Sequence, residues 1–591
     1  MSYLRMAAIG AASLLVVSAC SKNDEAVEQL VVETNNTLFD YVPTDTPYLA
    51  GNLEPIPDEV IDVFLQRVEP ILDSIQLELT NARKSLETES TEDVSEAQGH
   101  DEGEKLLLAI LQEFDGKLNR SGMESLGFDL RANKVLYGVG VFPVLRLGLS
   151  DAGALRATIQ RILANADIDA PELEYQGISY WRAVEDEQVD GHAGVYIAIL
   201  SDHLAVSLLP AMAENELLPA FLGLEIPQDS NAAQRLTQLN TQHGYTPYGS
   251  GILNLESLLD EFINPDPIMT QLMMSGGEYD PASMTDECRS EIQGMVSNTP
   301  RMTMGISELT TQAVAMQYRV ETKPTLAQQL IALVAEIPAA NPVSKRILEL
   351  SFGMKLGAAR DFLRKKAAAI MEEPYVCEHL QSLNESATEA FTQLNQPLPP
   401  FVNNFRGVRM SLEDLEMVQN LPANARGLIA VHVDQPEMFV GMAQMFVPDL
   451  SELQLVVGDP PVQLPSTLIP VPDIVAFAAI SEDAIGLSVG EGEESKLPSF
   501  LDQEANSDGI FLSANYDMAA YIEYTQNMTN QYDAAVAMDS DQDAADSQVH
   551  ESINDISKKA NEALKSFVDR ENVSLRLTSE GLVVDSKMTF K

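Results

Sequence analysis

The apolar positions of this chain switch repeatedly between a period of two and a helical period. Residues 144–151 (VLRLGLSD) read as a strand ending in Asp151, and the stretch behind them, AGALRATIQRILANADI, has helical spacing. Residues 427–434 (GLIAVHVD), followed by QPEMFVGMAQMFVPDL, repeat that arrangement and end the strand on Asp434. An Asp at such a junction is suited to cap the helix, because its carboxylate accepts from backbone N–H groups that lack an intrahelical partner. Four more strand-to-helix units start near Tyr48, Ser250, Phe352 and Ile510, which places three units in each half of the chain.

Longer matches connect the halves. VYIAILSDHLAVSLLPAMAENELLPAFLG, from Val195, and VAFAAISEDAIGLSVGEGEESKLPSFLDQ, from Val475, both read as strand, polar turn, strand, acidic loop and short helix, at an offset of 280 residues (475 − 195). Leu126-Gly-Phe-Asp-Leu130 and Arg406-Gly-Val-Arg-Met410 match at the same offset. Between the units, 173–183, 193–200 and 205–209 are patterned as a meander, and 303–309 with 313–320 and 573–577 with 582–590 as hairpins. The expected class is α+β, internally duplicated, with antiparallel sheets covered by helices and built from repeated strand–helix units. The expected divisions are 1–19 as a signal peptide, 20–40 as a tether, 41–262 as the first half, 263–300 as a linker or arm, and 301–591 as the second half.

Charge changes the picture by exclusion. The 591 residues carry 89 acidic against 37 basic side chains, a formal net charge of −52. That excess argues against nucleic-acid binding, which needs a basic footprint. It also argues against an electrostatic grip on anionic lipid. Much visible crowding lies in two polar stretches, 85–105 and 533–556. Within the second, Asp539, Asp541 and Asp543 have the oxygen spacing of a calcium loop. Ala544, Asp546 and His550 stand where that loop needs Gly, an apolar residue and Glu, so no metal site is expected there.

At the N-terminus, Arg5 precedes a short apolar run ending in Val17-Ser18-Ala19-Cys20, too short to span a bilayer. The ending resembles a bacterial lipobox. That resemblance implies cleavage before Cys20 and acylation of Cys20, which makes the lipid bilayer the first expected partner. Ser21, rather than Asp, implies sorting to the outer membrane, on its periplasmic face, with the inner membrane as the alternative.

Two other cysteines remain, Cys288 and Cys377. In an exported chain an even pair implies a disulfide, expected here to staple the second half. The seven histidines show no metal-ligand spacing. There is no G-x-S-x-G elbow and no phosphate-binding loop, and Gly138-x-Gly140 reads as close strand packing. No cofactor is expected. Arg146, flanked by leucines in a strand, needs an inward partner, with Asp151 or Asp129 as candidates. Trp181 stacks either on a ligand or on a sheet–helix core. Met438, Met442 and Met445 share one helical face, read as core, with an adaptable groove as the alternative.

The stretch 41–55 (YVPTDTPYLAGNLEP), with its P-x-D-T-P string, and 137–146, with Gly-x-Gly-x-x-Pro-x-x-Arg, are similar to segments of uncharacterised proteobacterial lipoproteins. This resemblance implies no reaction and assigns no catalytic residue. The expected function is a lipid-anchored, periplasm-facing envelope protein with a non-catalytic binding or scaffolding role, its partner an envelope protein, peptide or hydrophobic ligand. The alternatives are a carrier of lipid or hydrophobic ligand, and an envelope hydrolase using paired carboxylates.

Overall fold

The computed structural model describes residues 36–73, 102–168, 170–183, 193–275, 284–418, 421–450, 453–469, 474–526, 558–559 and 561–591. Cys20, the tether up to Asn35, the calcium-like loop and most of both acidic stretches lie outside the described residues.

The strands are β1 (Tyr48–Gly51), β2 (Lys134–Val139), β3 (Phe142–Gly148), β4 (Leu173–Tyr175), β5 (Ile178–Ala183), β6 (Ala193–Ile199), β7 (His203–Pro210), β8 (Ser250–Asn254), β9 (Arg301–Leu309) and β10 (Ala313–Glu321). They continue with β11 (Leu348–Gly353), β12 (Phe405–Val418), β13 (Leu421–Val433), β14 (Val462–Gln463), β15 (Ala476–Ile480), β16 (Ala484–Val489), β17 (Ile510–Asp517), β18 (Val568–Thr578) and β19 (Gly581–Phe590). All belong to one 19-stranded sheet.

Every pairing is antiparallel. From one edge the order is β4, β5, β6, β7, β3, β2, β1, β8, β9, β10. It continues β19, β18, β17, β11, β12, β13, β16, β15, β14. The two wings meet where β10 lies against β19, with Ala313 opposite Thr589 and Glu321 opposite Gly581. The expectation of separate sheets is thereby replaced by one continuous sheet. Left apart, β10 and β19 would each present a long unpaired edge, and pairing them satisfies both rows of backbone groups.

The helices needed below are α1 (58–73), α2 (Ala152–Ala166), α3 (Glu214–Phe221), α4 (Leu255–Ile263), α5 (Asp286–Val296), α6 (Leu356–Glu372), α7 (Gln381–Leu394), α8 (Pro436–Phe446) and α9 (Leu497–Leu501), then α10 (518–526) and α11 (561–567). The six expected strand-to-helix units are all present: β1, β3 and β8 run into α1, α2 and α4, and β11, β13 and β17 into α6, α8 and α10. The cap expected at each Asp forms once. Asp151 accepts from the Ala154 amide, but Asp434 turns instead to Arg406 through bonds of 2.9 and 2.7 Å. Gln435, with φ of 59°, holds the cap position of α8 without a side-chain bond.

The largest core lies between one sheet face and the turn Thr37–Tyr41, α3 and Ala232–His243, around Tyr137, Tyr196, Phe221 and Leu236. On the opposite face, α1 lays Val60 and Ile61 near Leu309, Ile306 and Val314, then Val68 and Ile71 near Met518 and Phe567 of the other wing. Cys288 on α5 is bonded to Cys377, which follows α6. Because α5 lies between β8 and β9 while α6 follows β11, the disulfide ties the two wings together rather than stapling the second half. Glu291 reinforces the junction, accepting the Val376 and Cys377 amides at 2.9 Å each.

Candidate functional site: an open apolar sheet face

Strand residues alternate between faces, so cross-strand partners form rows on one face. One row runs almost the full width of the sheet. From Tyr318 on β10 it passes through Met304, Gly251, Ala50, Leu136 and Leu145. In the other direction it passes through Val584, Leu575, Leu512, Phe352, Val408 and Val431. One end continues over Val206 and Ile197 to Trp181, the other over Ile485 to Ile480. No member is charged.

The row is open along much of its length. Leu136, Met304 and Tyr318 are 39%, 38% and 41% exposed, and Leu145, Val408, Val431, Leu512, Leu575 and Val584 are all half-buried. Gly251 has a reason within the row: a Cβ there would stand 3.1 Å from the Met304 methyl. Parts of the flanking rows are apolar too, although Ser586 and Lys134 interrupt them. Met302 faces Val320, which faces Leu582, and Leu350 faces Met410, which faces Ile429.

The other face is the unusual half of this arrangement. On β11, β12 and β17 the positions between the row residues are Glu349, Ser351, Arg409, Ser411, Ser513 and Asn515, and all six are buried. Five of them have a partner in the covering layer, and Ser411 bonds Glu349 on the next strand. Ser351 donates to the Pro338 carbonyl at 2.7 Å, Asn515 to the Asn341 carbonyl at 2.7 Å, and Glu349 accepts from Ser344 and Ser411. In the second wing polar groups are therefore inside while apolar ones stay half open. An exposed apolar patch of this extent is more informative than scattered surface leucines.

The two residues singled out in the sequence fall in different places. Trp181 is buried, at the sealed end of the row, under α2 with Leu155 and Ile199. Arg156 lies over its ring at 5.4 Å from the centroid. Its neighbour Arg182 turns to Glu214 at 2.5 Å. Arg146 is completely buried on the covered face, and neither Asp151 nor Asp129 is its partner. It donates to the Tyr137 hydroxyl at 2.9 Å and to the Phe221 carbonyl at 2.8 Å. It also meets His203 Nε2 at 2.9 Å, and the Tyr41 ring lies 4.0 Å from its guanidinium carbon. His203 Nδ1 stands 2.8 Å from Asp202. Accepting from Arg146 requires a neutral imidazole protonated at Nδ1, and burial does push the His203 pKa down.

Sequence reasoning missed the counterpart. Arg409, also buried, reaches the Phe500 carbonyl at 3.0 Å and bonds Gln503. His432 stands beside it, with Asp483 at 3.8 Å from Nδ1. Both arginines thus meet the phenylalanine carbonyl of a Pro-x-Phe-Leu helix end, Pro219–Leu222 and Pro498–Leu501. The negative end of the helix dipole favours a cation there. In the first wing Arg and His sit on β3 and β7. In the second they sit on β12 and β13, one strand nearer the seam. The repeated Pro-x-Phe-Leu string was the signal that could have pointed to the pair.

His432 differs from His203 in that, among the described residues, neither ring nitrogen has a partner within hydrogen-bond distance. Burial, then the Arg409 charge, pushes its pKa down to about 4, against about 6.5 in an unfolded chain. The unfolded state therefore takes up the proton first as pH falls. This contribution to stability is full above about pH 6.5 and is lost as pH drops toward about 4. His432→Leu should flatten the decline of the urea midpoint between pH 7 and pH 4.5; an unchanged slope would refute this assignment.

The methionine face is not core. Met438 is 39% and Met445 74% exposed on α8. Gly138-x-Gly140 forms the tight β2–β3 connection, where Val139 pairs with Phe142 and Gly140 has a φ of 57°. Among the described residues no group of His, Cys, Asp or Glu is arranged to hold a metal, and no helix is long and apolar enough to cross a membrane.

Fold and site together define a class: a mixed α/β protein with helices interleaved around one large antiparallel sheet, one face of which carries, beside α1 and α2, an uncharged row that is partly open. Compared with family models, curated proteins and solved structures, the chain matches none.

Proposed function

We propose that this chain is a lipid-anchored, periplasm-facing envelope protein that binds a hydrophobic partner on its open sheet face, and that its body is one unit used twice. The observation that carries the binding function is the uncharged cross-strand row through Met304, Tyr318 and Leu136, each more than a third exposed. The anchor rests on the lipobox-like end at Cys20, and the resemblance of 41–55 to uncharacterised lipoproteins agrees with it.

The duplication is supported by the strand order, which reads alike from both edges toward the β10–β19 seam. On that reading β1, β2 and β3 correspond to β11, β12 and β13, and β6 to β10 correspond to β15 to β19. The boundary falls between β10 and β11. The 195/475 sequence match lands on corresponding strands, β6–β7 and β15–β16, and the 144/427 match on β3 and β13. The 126/406 match does not, since Leu126–Leu130 precedes β2 while Arg406–Met410 lies within β12.

Two experiments test the function. Cys20→Ser should abolish acyl labelling and release the protein from membrane fractions; full labelling of the variant would refute the anchor. After cross-linking in the native envelope, Leu136→Glu with Ile429→Glu should lose whatever co-purifies with the wild type. Leu363→Glu, on the exposed side of α6, should retain it. Equal recovery from all three would remove the sheet face from consideration. The hydrolase alternative requires a carboxylate of raised pKa facing a second one in a cleft. Glu261 on α4 is raised by burial, Asp266, Asp45 and Asp260, but it lines neither the cavity between 338–342 and 503–508 nor the one between α1 and 116–120.

A further inference from the structure

We infer that the occupant of the open face is the acyl portion of an uncharged or zwitterionic phospholipid, laid across the strands along the row centred on the β10–β19 seam. This inference rests on the binding function proposed above and names its ligand class.

The first argument is hydrogen bonding. From Val206 to Ile485 the row offers one polar side-chain atom, the Tyr318 hydroxyl, which meets the Met316 sulfur at 3.7 Å; the flanking rows add Lys134 and Ser586, and Ser586 already donates to Glu571 at 3.0 Å. With strands about 4.8 Å apart, that stretch is roughly 60 Å long. The row and its two neighbours, spaced by two residues along each strand, are roughly 14 Å wide, or about 800 Å² in all. A protein partner covering such an area would call for about ten hydrogen bonds. A hydrocarbon calls for none.

The second argument is charge. A second copy would bring another −52 against this one, and like charge disfavours that association. The same excess repels anionic headgroups. Of the acidic stretches, 85–105 holds only Leu86, Val94 and Ala97 as apolar residues, and five of the ten in 533–556 are alanines, so neither supplies enough large apolar side chains to cover a row of this length. A neutral apolar chain with a headgroup of no net charge is the occupant that fits both sides of the balance.

The third argument is shape and adaptability. A bilayer core about 30 Å thick holds two opposed acyl layers, so one chain needs about 15 Å. The open stretch would seat about three or four chains end to end. Met302 and Met304, each 38% exposed near the seam, are unbranched and polarizable, suited to contacts that must slide and re-form.

The test uses the full chain carrying Cys20→Ser, purified without detergent so that its own acyl groups do not compete. It is incubated with phosphatidylcholine vesicles holding a trace of an NBD-acyl phosphatidylcholine, then separated from them. The expected result is saturable uptake of the fluorescent lipid, reduced at least tenfold by Met304→Glu and by Tyr318→Glu and unchanged by Leu363→Glu. Circular dichroism melting curves of the two face variants should match the parent, since both positions are exposed. Uptake equal in parent and face variants would overturn the placement. Uptake of oleate without phosphatidylcholine would overturn the phospholipid assignment. No lipid uptake, with face variants still losing a cross-linked envelope polypeptide, would overturn the acyl-chain inference and leave the binding function standing. No lipid uptake and no face-dependent partner would overturn both.

Discussion

Arg146→Met should destabilise the protein by about 3–5 kcal/mol, the usual scale for removing one member of a buried, hydrogen-bonded charged cluster. The guanidinium is completely buried and satisfies the Tyr137 hydroxyl, His203 Nε2 and the Phe221 carbonyl. Methionine fills part of the volume and leaves all three without a partner, each a buried polar group that costs about 1–3 kcal/mol when orphaned. Chemical denaturation should show a lower midpoint with an unchanged slope. Arg409→Met should cost less, because Arg409 has fewer partners and its removal relieves the charge beside His432. In that variant the His432 pKa should rise toward the unfolded value, so the loss of stability on acidification should still begin near about pH 6.5 but be smaller and end at higher pH. If Arg146→Met leaves the midpoint within the error of the wild type, the cluster does not anchor α3 to the sheet.

Reduction of the disulfide, or Cys377→Ser with Cys288→Ser, should cost about 2–5 kcal/mol. The bond closes a loop spanning 89 residues, and that loop contains β9, β10 and β11 together with α6. Its particular effect is to bind the arm α6–α7 to α5 across the two wings, with Glu291 accepting two amides at the same junction. Thermal unfolding with and without reductant should separate by several degrees for the wild type and coincide for the double variant. Hydrogen exchange in α5 and around 374–380 should rise on reduction, while β2 and β12 stay protected. Uniform loss of protection would mean that the bond stabilises the whole sheet rather than the arm.

Parts of this fold were legible early for a physical reason. Strand and helix periods are local, so Ser250–Asn254 into Leu255–Ile263, or Leu348–Gly353 into Leu356–Glu372, can be read from neighbours alone. Hairpins such as β18–β19 carry their turn residues with them. The Asp434 cap was misread because a cap competes with any cation within reach, and Arg406 is brought there by β12 rather than by the local chain. The Met438–Met445 face was read as core because amphipathic spacing reports a face and says nothing about whether anything covers it.

By itself the sequence determined the elements, the pairing of Cys288 with Cys377 and the strong acidic balance. It also supplied two leads toward a repeated unit, at 195/475 and 144/427. Only the tertiary structure decided that the two wings share one sheet, because the β10–β19 pairing joins residues some 270 positions apart (584 − 318 = 266). Only the tertiary structure decided that Glu349, Ser351 and Arg409 are inside while Leu136, Met304 and Tyr318 are open. Alternation divides a strand into two faces, but register and the covering layer choose which face meets water. That choice makes the apolar face, rather than any single residue, the feature on which function is proposed to rest.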